Sequence, residues 1–329
     1  MRVLVTGGAG YIGSHACKAL AAAGHQPITY DNFAGGHRWA VRYGPLEEGD
    51  VGHQDRLAEV FAAHRPEAVM HFAALISVGE SVESPETYYR TNLAGAINVL
   101  AASRAAGVER FVFSSTGTIH GQPTSMPIVE TMPMAPISPY ARSKAMVEQI
   151  LIDLAQASGM AIASLRYFNA CGADPEGELG EAHSPETHLI PLVLAAARDR
   201  SPLTLNGDDY PTPDGTCVRD YIHVSDLALA HVLALNALTP GHGLRAYNLG
   251  VGRGLSVKQI IDAARTVTGA PIAVRLGPRR PGDAPAMWAD PTRARNELGF
   301  RPEHSSLETI VETAWRWMSD PPNYARAAE

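Results

Sequence analysis

Tyr140 and Lys144 are the residues whose types and spacing first suggest chemistry. Pro139 opens the stretch Tyr140-Ala-Arg-Ser-Lys144 as a helix, and residues four apart on a helix share one face. An ammonium beside a phenol favours the phenolate, so Lys144 is expected to lower the Tyr140 pKa from its usual value of about 10. Upstream, the apolar run Phe111-Val112-Phe113 reads as a buried strand that delivers Ser114, Ser115 and Thr116 at its C-terminal end. A hydroxyl, a phenol and an amine brought together there make a proton-transfer site. Taken alone, a Tyr–Lys pair is more often a surface contact. A cofactor site close by is what gives it weight.

The N-terminus supplies one. The β-rich run Arg2–Thr6 leads into Gly7-Gly8-Ala9-Gly10-Tyr11-Ile12-Gly13, and an alanine- and leucine-rich helix follows from about Ser14 to Ala23. Strand, glycine turn and helix are the context of a dinucleotide site, where the backbone approaches a pyrophosphate that rests on the helix N-terminus. The spacing here is Gly-x-x-Gly-x-x-Gly, which is weak evidence by itself. A second strand, Pro27–Tyr30, ends in Asp31-Asn32, about twenty residues on, where a carboxylate can bond ribose hydroxyls. That carboxylate repels a 2′-phosphate, so NAD is expected rather than NADP; a simple turn aspartate is the alternative.

The alternation continues. Asp50-Val51 follows a short strand-like segment, placed to meet an adenine ring, and a helix is expected over 54–64. Glu67–Phe72 reads as a fourth strand whose continuation, Ala73-Ala74-Leu75-Ile76, passes near the pyrophosphate. A long helix is expected over 86–106, with Asn92 near its middle either fixing a loop or lining the nicotinamide site. With 111–113, the helix 139–158 and 161–167, about six strands alternate with helices: an α/β fold, a doubly wound parallel sheet of the Rossmann kind. Beyond Phe168 a long loop runs from Asn169 to Glu186, then a helix from His188 to about Arg198. A helix at 227–238 is expected to be capped by Ser225-Asp226, Tyr247–Gly250 reads as one more strand, and a helix over 307–318 closes the chain. The expected division is a dinucleotide domain of 1–168 plus 221–249, and a smaller C-terminal α/β substrate domain of 169–220 plus 250–329.

Composition bounds the rest. The 329 residues are 45% hydrophobic and 19% charged, with a net charge of −7 and no Lys/Arg-rich run, which argues against nucleic acid. No stretch approaches a membrane span, and no signal peptide is expected. Three widely spaced cysteines, Cys17, Cys171 and Cys217, fit a reducing cytoplasm. Thirteen histidines show no His-x-x-x-His spacing and there is no Cys-x-x-Cys, so no metal is expected.

The chain resembles the extended short-chain dehydrogenase/reductases, and among them the UDP-glucose (UDP-galactose) 4-epimerases, over nearly its whole length. The resemblance rests on Thr6–Ser14, Asp31-Asn32, Ser114–Thr116, Tyr140-x-x-x-Lys144, Leu165–Asn169, Val218–Val224 and Pro278–Asp283. It implies NAD as cofactor, held by Gly7, Gly10, Tyr11, Ile12, Gly13, Asp31, Asn32, Asp50, Val51, Phe72, Ala73, Ala74, Asn92, Ser114, Tyr140, Lys144 and Tyr167. It implies C4 epimerisation of a UDP-hexose, with Tyr140 as base, Lys144 tuning it and binding the nicotinamide ribose, and Thr116 bonding the sugar O4. Asn169, His188 and Leu189 match contacts to diphosphate and uracil, Arg219 and Arg280 to the diphosphate, and Asp283 to a ribose. Met287 matches a residue that gates the sugar pocket. His120 and Ile76 depart from the common tyrosine and lysine. From the residues alone, Arg279 or Arg280 could equally be solvated surface, and Arg219 could pair with Asp220. The family is usually a homodimer, through the helices at 86–106 and 139–158.

Rivals within the resemblance are a UDP-N-acetylglucosamine or UDP-glucuronate 4-epimerase and a non-catalytic dinucleotide sensor. A dehydratase needs an acid beside the threonine, and Thr116 is followed by Gly117-Thr118. Sensors often lose the tyrosine or lysine; both are present.

Overall fold

The computed structural model describes residues 1–123, 125–280 and 282–326; Pro281, within the Pro278–Asp283 motif, lies outside the described residues. The first half alternates strands with helices. β1 (Arg2–Thr6), α1 (Tyr11–Ala22), β2 (Gln26–Asp31), β3 (Leu46–Glu48), α2 (Gln54–His64) and β4 (Ala68–His71) come first. Two short helices, α3 (Val78–Glu83) and α4 (Pro85–Tyr88), a π-helical turn (Tyr89–Ala94) and α5 (Gly95–Ala105) follow. Then come β5 (Arg110–Ser114), α6 (Pro139–Ser158) and β6 (Ala161–Arg166). The strands are near-continuous apolar runs because both faces of a parallel sheet are covered by helices.

The second half is β7 (Asn169–Cys171), α7 (Leu189–Asp199), β8 (Leu203–Asn206), β9 (Val218–Arg219), β10 (Tyr221–His223), α8 (Val224–Ala237) and β11 (Leu244–Asn248). It closes with β12 (Leu255–Ser256), α9 (Val257–Thr268), β13 (Val274–Gly277), β14 (Ala286–Met287), α10 (Thr292–Glu297), α11 (Leu307–Ser319) and α12 (Asn323–Arg326).

Seven strands form one parallel sheet in the order β11-β6-β5-β4-β1-β2-β3. The expected sheet of about six gains its edge from β11, which pairs with β6 from Leu244↔Ile162 to Asn248↔Arg166. One core joins α1 and α8 to one face through Val3, Val5, Leu20, Val112, Leu227 and Leu235. Another joins α2, α5 and α6 to the opposite face through Leu4, Leu57, Val99, Phe113, Val147 and Leu151. A third, built from α7, α9 and α11 with Tyr221, gathers Val193, Leu194, Ile260, Ile261, Ile310 and Val311. Three small sheets flank it: β10-β7, β12-β9-β14 and β13-β8. No helix among the described residues is long and apolar enough to cross a membrane.

Strand order reverses between β1 and β4, the switch point at whose carboxyl edge open α/β sheets bind ligands. The glycine turn leaves β1 there, and Phe72 and Ala73 leave β4. Their N–H groups both donate to Thr6 O, at 2.9 and 3.0 Å. Gly7 has φ +74°, and a Cβ on it would lie 2.6 Å from Ala73 N. A Cβ on Gly13 would lie 2.1 Å from Gly7 O. The turn therefore packs backbone on backbone, which only glycine permits.

Two expectations are corrected. The single helix over 86–106 is broken by the π-helical turn Tyr89–Ala94. Asn92 sits in that wide turn and spends its carboxamide on the loop after β4, accepting from Leu75 N at 2.8 Å and donating to Leu75 O at 3.0 Å. Ser225-Asp226 does not cap α8 either. The helix begins at Val224, and the His223 ring accepts from Ser225 N. Asp226 instead takes Glu303 N, His304 N and Ser305 Oγ, so it anchors the approach to α11.

Gly13→Ala is expected to cost about 1–3 kcal/mol, the usual range for overpacking, because the new methyl meets fixed backbone. Gly79→Ala, in helix α3, meets nothing within 4 Å and serves as the control without overpacking, expected to hold or gain stability. Urea unfolding of the two variants reads the difference.

Candidate active site

Ser138 caps α6, its side chain accepting from Ala141 N at 3.2 Å, and Pro139 occupies the first turn. This start sets Tyr140 and Lys144 against the end of β5. Lys144 is buried and donates from Nζ to Ser114 O at 2.8 Å. Its ammonium lies 5.0 Å from the Phe113 ring centre. Burial pushes the lysine down to about 7, with the Glu148 charge opposing. Tyr140 is pushed up to about 12 by burial, against a hydrogen bond with Thr116. The expected depression of the phenol by Lys144 is thus reversed, because desolvation dominates and Lys144 is committed to Ser114 O. Phenol, threonine hydroxyl and amine are nonetheless brought together. Beside them Ser114 Oγ meets Tyr167 OH at 2.5 Å, and Thr116 Oγ1 accepts from Thr118 N at 3.2 Å.

Sequence reasoning missed the residue beneath. Glu148, four on from Lys144, is fully buried, and its Oε1 accepts from Ser115 Oγ at 2.5 Å and Ser164 Oγ at 2.8 Å. Arg166 donates from Nε to the same oxygen at 3.0 Å and from one terminal nitrogen to Oε2 at 2.6 Å. The available signal was the row Tyr140, Lys144, Glu148 at a spacing of four: a carboxylate on an otherwise core-facing stripe needs a buried partner.

The dinucleotide cradle sits at the switch point. Gly10 caps α1 with no side chain of its own, so the first-turn N–H groups, those of Tyr11, Ile12 and Gly13 among them, lack a capping group. Such an end suits a pyrophosphate. Asp31, at the end of β2, accepts from Ala9 N at 2.9 Å and from Phe33 N at 2.8 Å, and burial raises its pKa. Asn32 donates to Asp50 Oδ2 at 2.6 Å. Val51 is buried against Gly95. Phe72, Ala73 and Ala74 line the same edge, half-buried. Asn92, at the same edge, bonds Leu75 N, Leu75 O and Ser143 Oγ. A backbone-only cradle, an open helix end and an acidic residue at the second strand fit a dinucleotide.

The nucleotide-sugar residues converge less tightly. Asn169 Nδ2 donates to Asp220 O at 2.9 Å. Arg219 does not pair with Asp220; it reaches Asp283 Oδ1 at 3.4 Å, and its register partner across β9 and β14 is Met287. The Asp220 carboxylate is instead buried, accepts from Val251 N and Ala289 N, and is pushed up to about 6 by burial. Arg279 is exposed and bonds Asp209. Arg280 is exposed too, and Nε reaches the Asn206 side-chain oxygen at 2.9 Å when that amide is turned toward it. Met287 is buried with Ile128 and Ala284, against Phe168. Leu189 begins α7, and His188 precedes it with its ring bonded to Glu181. Burial works to raise Glu181, yet hydrogen bonds from His183 and His188 prevail and hold it below the usual carboxylate range.

The sequence profile of the NAD dependent epimerase/dehydratase family matches residues 3–250. The chain belongs to that family. It is 50% identical to a UDP-glucose 4-epimerase of Rhizobium leguminosarum bv. trifolii over 316 residues, 96% of each chain. The crystal structure of a Brucella ovis UDP-glucose 4-epimerase in complex with NAD superposes with a TM-score of 0.92 at 50% identity, covering 95% of this chain and 97% of that one. A UDP-glucose-4-epimerase from Stenotrophomonas maltophila, with bound NAD and formylated UDP-arabinopyranose, superposes with a TM-score of 0.94 at 40% identity over the whole of both chains. Epimerase/dehydratase membership accounts for the NAD cradle and the Tyr–Lys helix together.

Two outcomes test this account of the site. Glu148→Gln removes the charge that favours the Lys144 ammonium, so the lysine pKa is expected to fall further below about 7. NMR titration of the Lys144 side chain measures it. At Lys144 the folded chain binds fewer protons than the unfolded one between about 7 and the ordinary lysine value of 10.5, so this group's contribution to stability rises with pH across that window. Urea midpoints at pH 7 and pH 9 should show the rise, and Lys144→Met should flatten it.

Proposed function

We propose that this epimerase/dehydratase family member interconverts UDP-glucose and UDP-galactose at C4 with NAD as a resident cofactor. The observation that carries the reading is the grouping of Tyr140, Thr116 and Lys144 at the β5 end, on the sheet edge that also holds the glycine cradle. Bound NAD supplies a hydride acceptor that later returns the hydride, and a positive charge that helps Tyr140 ionise despite burial. Tyr140 Oη would take the O4 proton and return it to the same oxygen once the 4-keto sugar has turned its other face to the cofactor. Thr116 Oγ1 holds O4 in line. Lys144 fixes the Ser114 carbonyl and turns its remaining hydrogens to the nicotinamide ribose. Asp31 takes the adenosine ribose hydroxyls. Asn169, His188 and Leu189 receive the UDP, Arg219 and Arg280 its diphosphate, for which planar guanidinium suits bidentate contact, and Asp283 its ribose. The dinucleotide part is 1–168 plus 221–249, and the remainder holds the UDP-sugar.

Met287 favours a second substrate class. It is unbranched and flexible, so the wall it shares with Phe168 can retreat from an N-acetyl group. Two copies of the chain pair through α5 and α6, which leave Ile97 and Met146 each 43% exposed. The three free cysteines are all buried, consistent with a cytoplasmic enzyme.

Incubation with UDP-galactose, then with UDP-N-acetylgalactosamine, and without added reductant, is expected to yield the C4 epimer with no net NADH. Conversion of neither sugar by NAD-loaded protein would overturn the reading. Tyr140→Phe should retain NAD while activity falls by about 10²–10⁴-fold, the usual contribution of a general acid–base group. Near-normal turnover would remove Tyr140 from the mechanism. Ile97→Glu combined with Met146→Glu should sediment as a monomer if α5 and α6 form the dimer contact.

A further inference from the structure

Between β7 and α7 the loop carries a repeated Glu-x-His, Glu181-Ala-His183 and Glu186-Thr-His188. The fold turns all four side chains to one point, with the His188 side chain left 44% exposed. His183 Nδ1 lies 3.1 Å from Glu181 Oε1, and His188 Nδ1 bonds the same oxygen. Glu186 closes the group, its Oε2 3.8 Å from His183 Nδ1 and its Oε1 3.9 Å from His188 Nδ1. One donor atom from each of the four lies within 4.8 Å of every other. The rings stand nearly perpendicular, at 83°, so their nitrogens approach from different directions.

The backbone that carries these donors is held from outside. Trp317 Nε1 donates to Glu181 O at 3.0 Å, and His37 Nε2 meets Ala182 O at 2.6 Å. A Cβ on Gly180 would lie 2.2 Å from the Trp317 ring, so indole and loop pack without a gap. Thr187 N and His188 N both donate to Glu186 Oε1 at 2.7 Å, which fixes that carboxylate and leaves Oε2 to the centre. The Glu181 side chain is 7% exposed. Donors so positioned are preorganised rather than gathered on binding.

We propose that Glu181, His183, Glu186 and His188 form a structural site for a divalent first-row transition ion of the zinc class. Two imidazole nitrogens with two carboxylate oxygens suit zinc, cobalt or nickel, whereas magnesium and calcium take oxygen ligands. Tetrahedral bonds of about 2.0–2.1 Å put donors about 3.3 Å apart, between the separations seen here. A dication with two carboxylates and two neutral imidazoles is electrically neutral, as a half-buried site requires. Four protein ligands leave no open position, so the ion would clamp the loop and take no part in hydride or proton transfer. It would do so next to the cofactor cradle, because the His183 ring lies 6.3 Å from that of Tyr11.

The test uses tag-free, NAD-loaded protein treated with chelator and desalted, titrated calorimetrically with zinc chloride and followed by thermal unfolding. One saturable equivalent and a raised unfolding temperature are expected. His183→Ala and Glu186→Gln should each weaken zinc binding by at least about 10–100-fold, the loss typical even of an outer-shell partner. Absence of saturable binding overturns the proposal. So does equal zinc affinity in wild type and both variants, or magnesium binding as tightly as zinc. Because the readout is metal affinity, these outcomes stand apart from those of the epimerase assay.

Discussion

A buried ion pair underlies the reactive end of the sheet. Glu148 and Arg166 share three hydrogen bonds with neither side chain appreciably exposed. A charge so far from water persists only when its partners are complete, and here they are: two serine hydroxyls complete the carboxylate, and Glu130 O accepts from Arg166 at 3.0 Å. Those partners lie on β6, α6 and the loop between β5 and α6, with Ser115 directly after the end of β5. One interaction therefore fixes the relative height of the segment that carries Ser115 and Thr116 off β5 and the helix bearing Tyr140. Glu130 carries the connection onward, since its carboxylate accepts from Asn248 N at the end of β11.

The same economy recurs away from the reaction centre. Asp220 and Asp226 sit within the Val218–Val224 motif or just after it, yet both carboxylates serve backbone N–H groups of distant segments. Asp220 joins β9 to the segments at 251 and 289; Asp226 joins α8 to 303–305. The C-terminal segments are thus tied together by carboxylate–amide bonds as well as by apolar contact. Arg219, beside Asp220 in the chain, is left with Asp283 and the Val218 carbonyl.

Epimerisation without net redox requires that the cofactor stay, and the cradle is built for close approach. Gly7 against Ala73 and Gly13 against Gly7 are contacts of main chain on main chain, at the point where the strand order reverses. Any side chain there would hold the dinucleotide off the helix end, where the unsatisfied N–H groups and the helix dipole act.

The sequence by itself determined what depends on local pattern. The strand–glycine-turn–helix start, Asp31 at the second strand, the Pro139 helix with Tyr140 and Lys144 on one face, and the seven-stranded sheet but for its edge all follow from period, turn chemistry and spacing. Only the tertiary structure decided what depends on solvation and on partners remote in the chain. It set the sign of the Tyr140 shift, because burial outweighs a nearby ammonium that is already bonded elsewhere. It set Asn92 in a π turn where its carboxamide bonds Leu75, and moved the α8 cap from Ser225-Asp226 to His223. It chose Asp283 over Asp220 for Arg219. It also brought Glu148 to Arg166, and Glu181 and Glu186 to His183 and His188, since a charged side chain declares its partner only once the chain has closed around it.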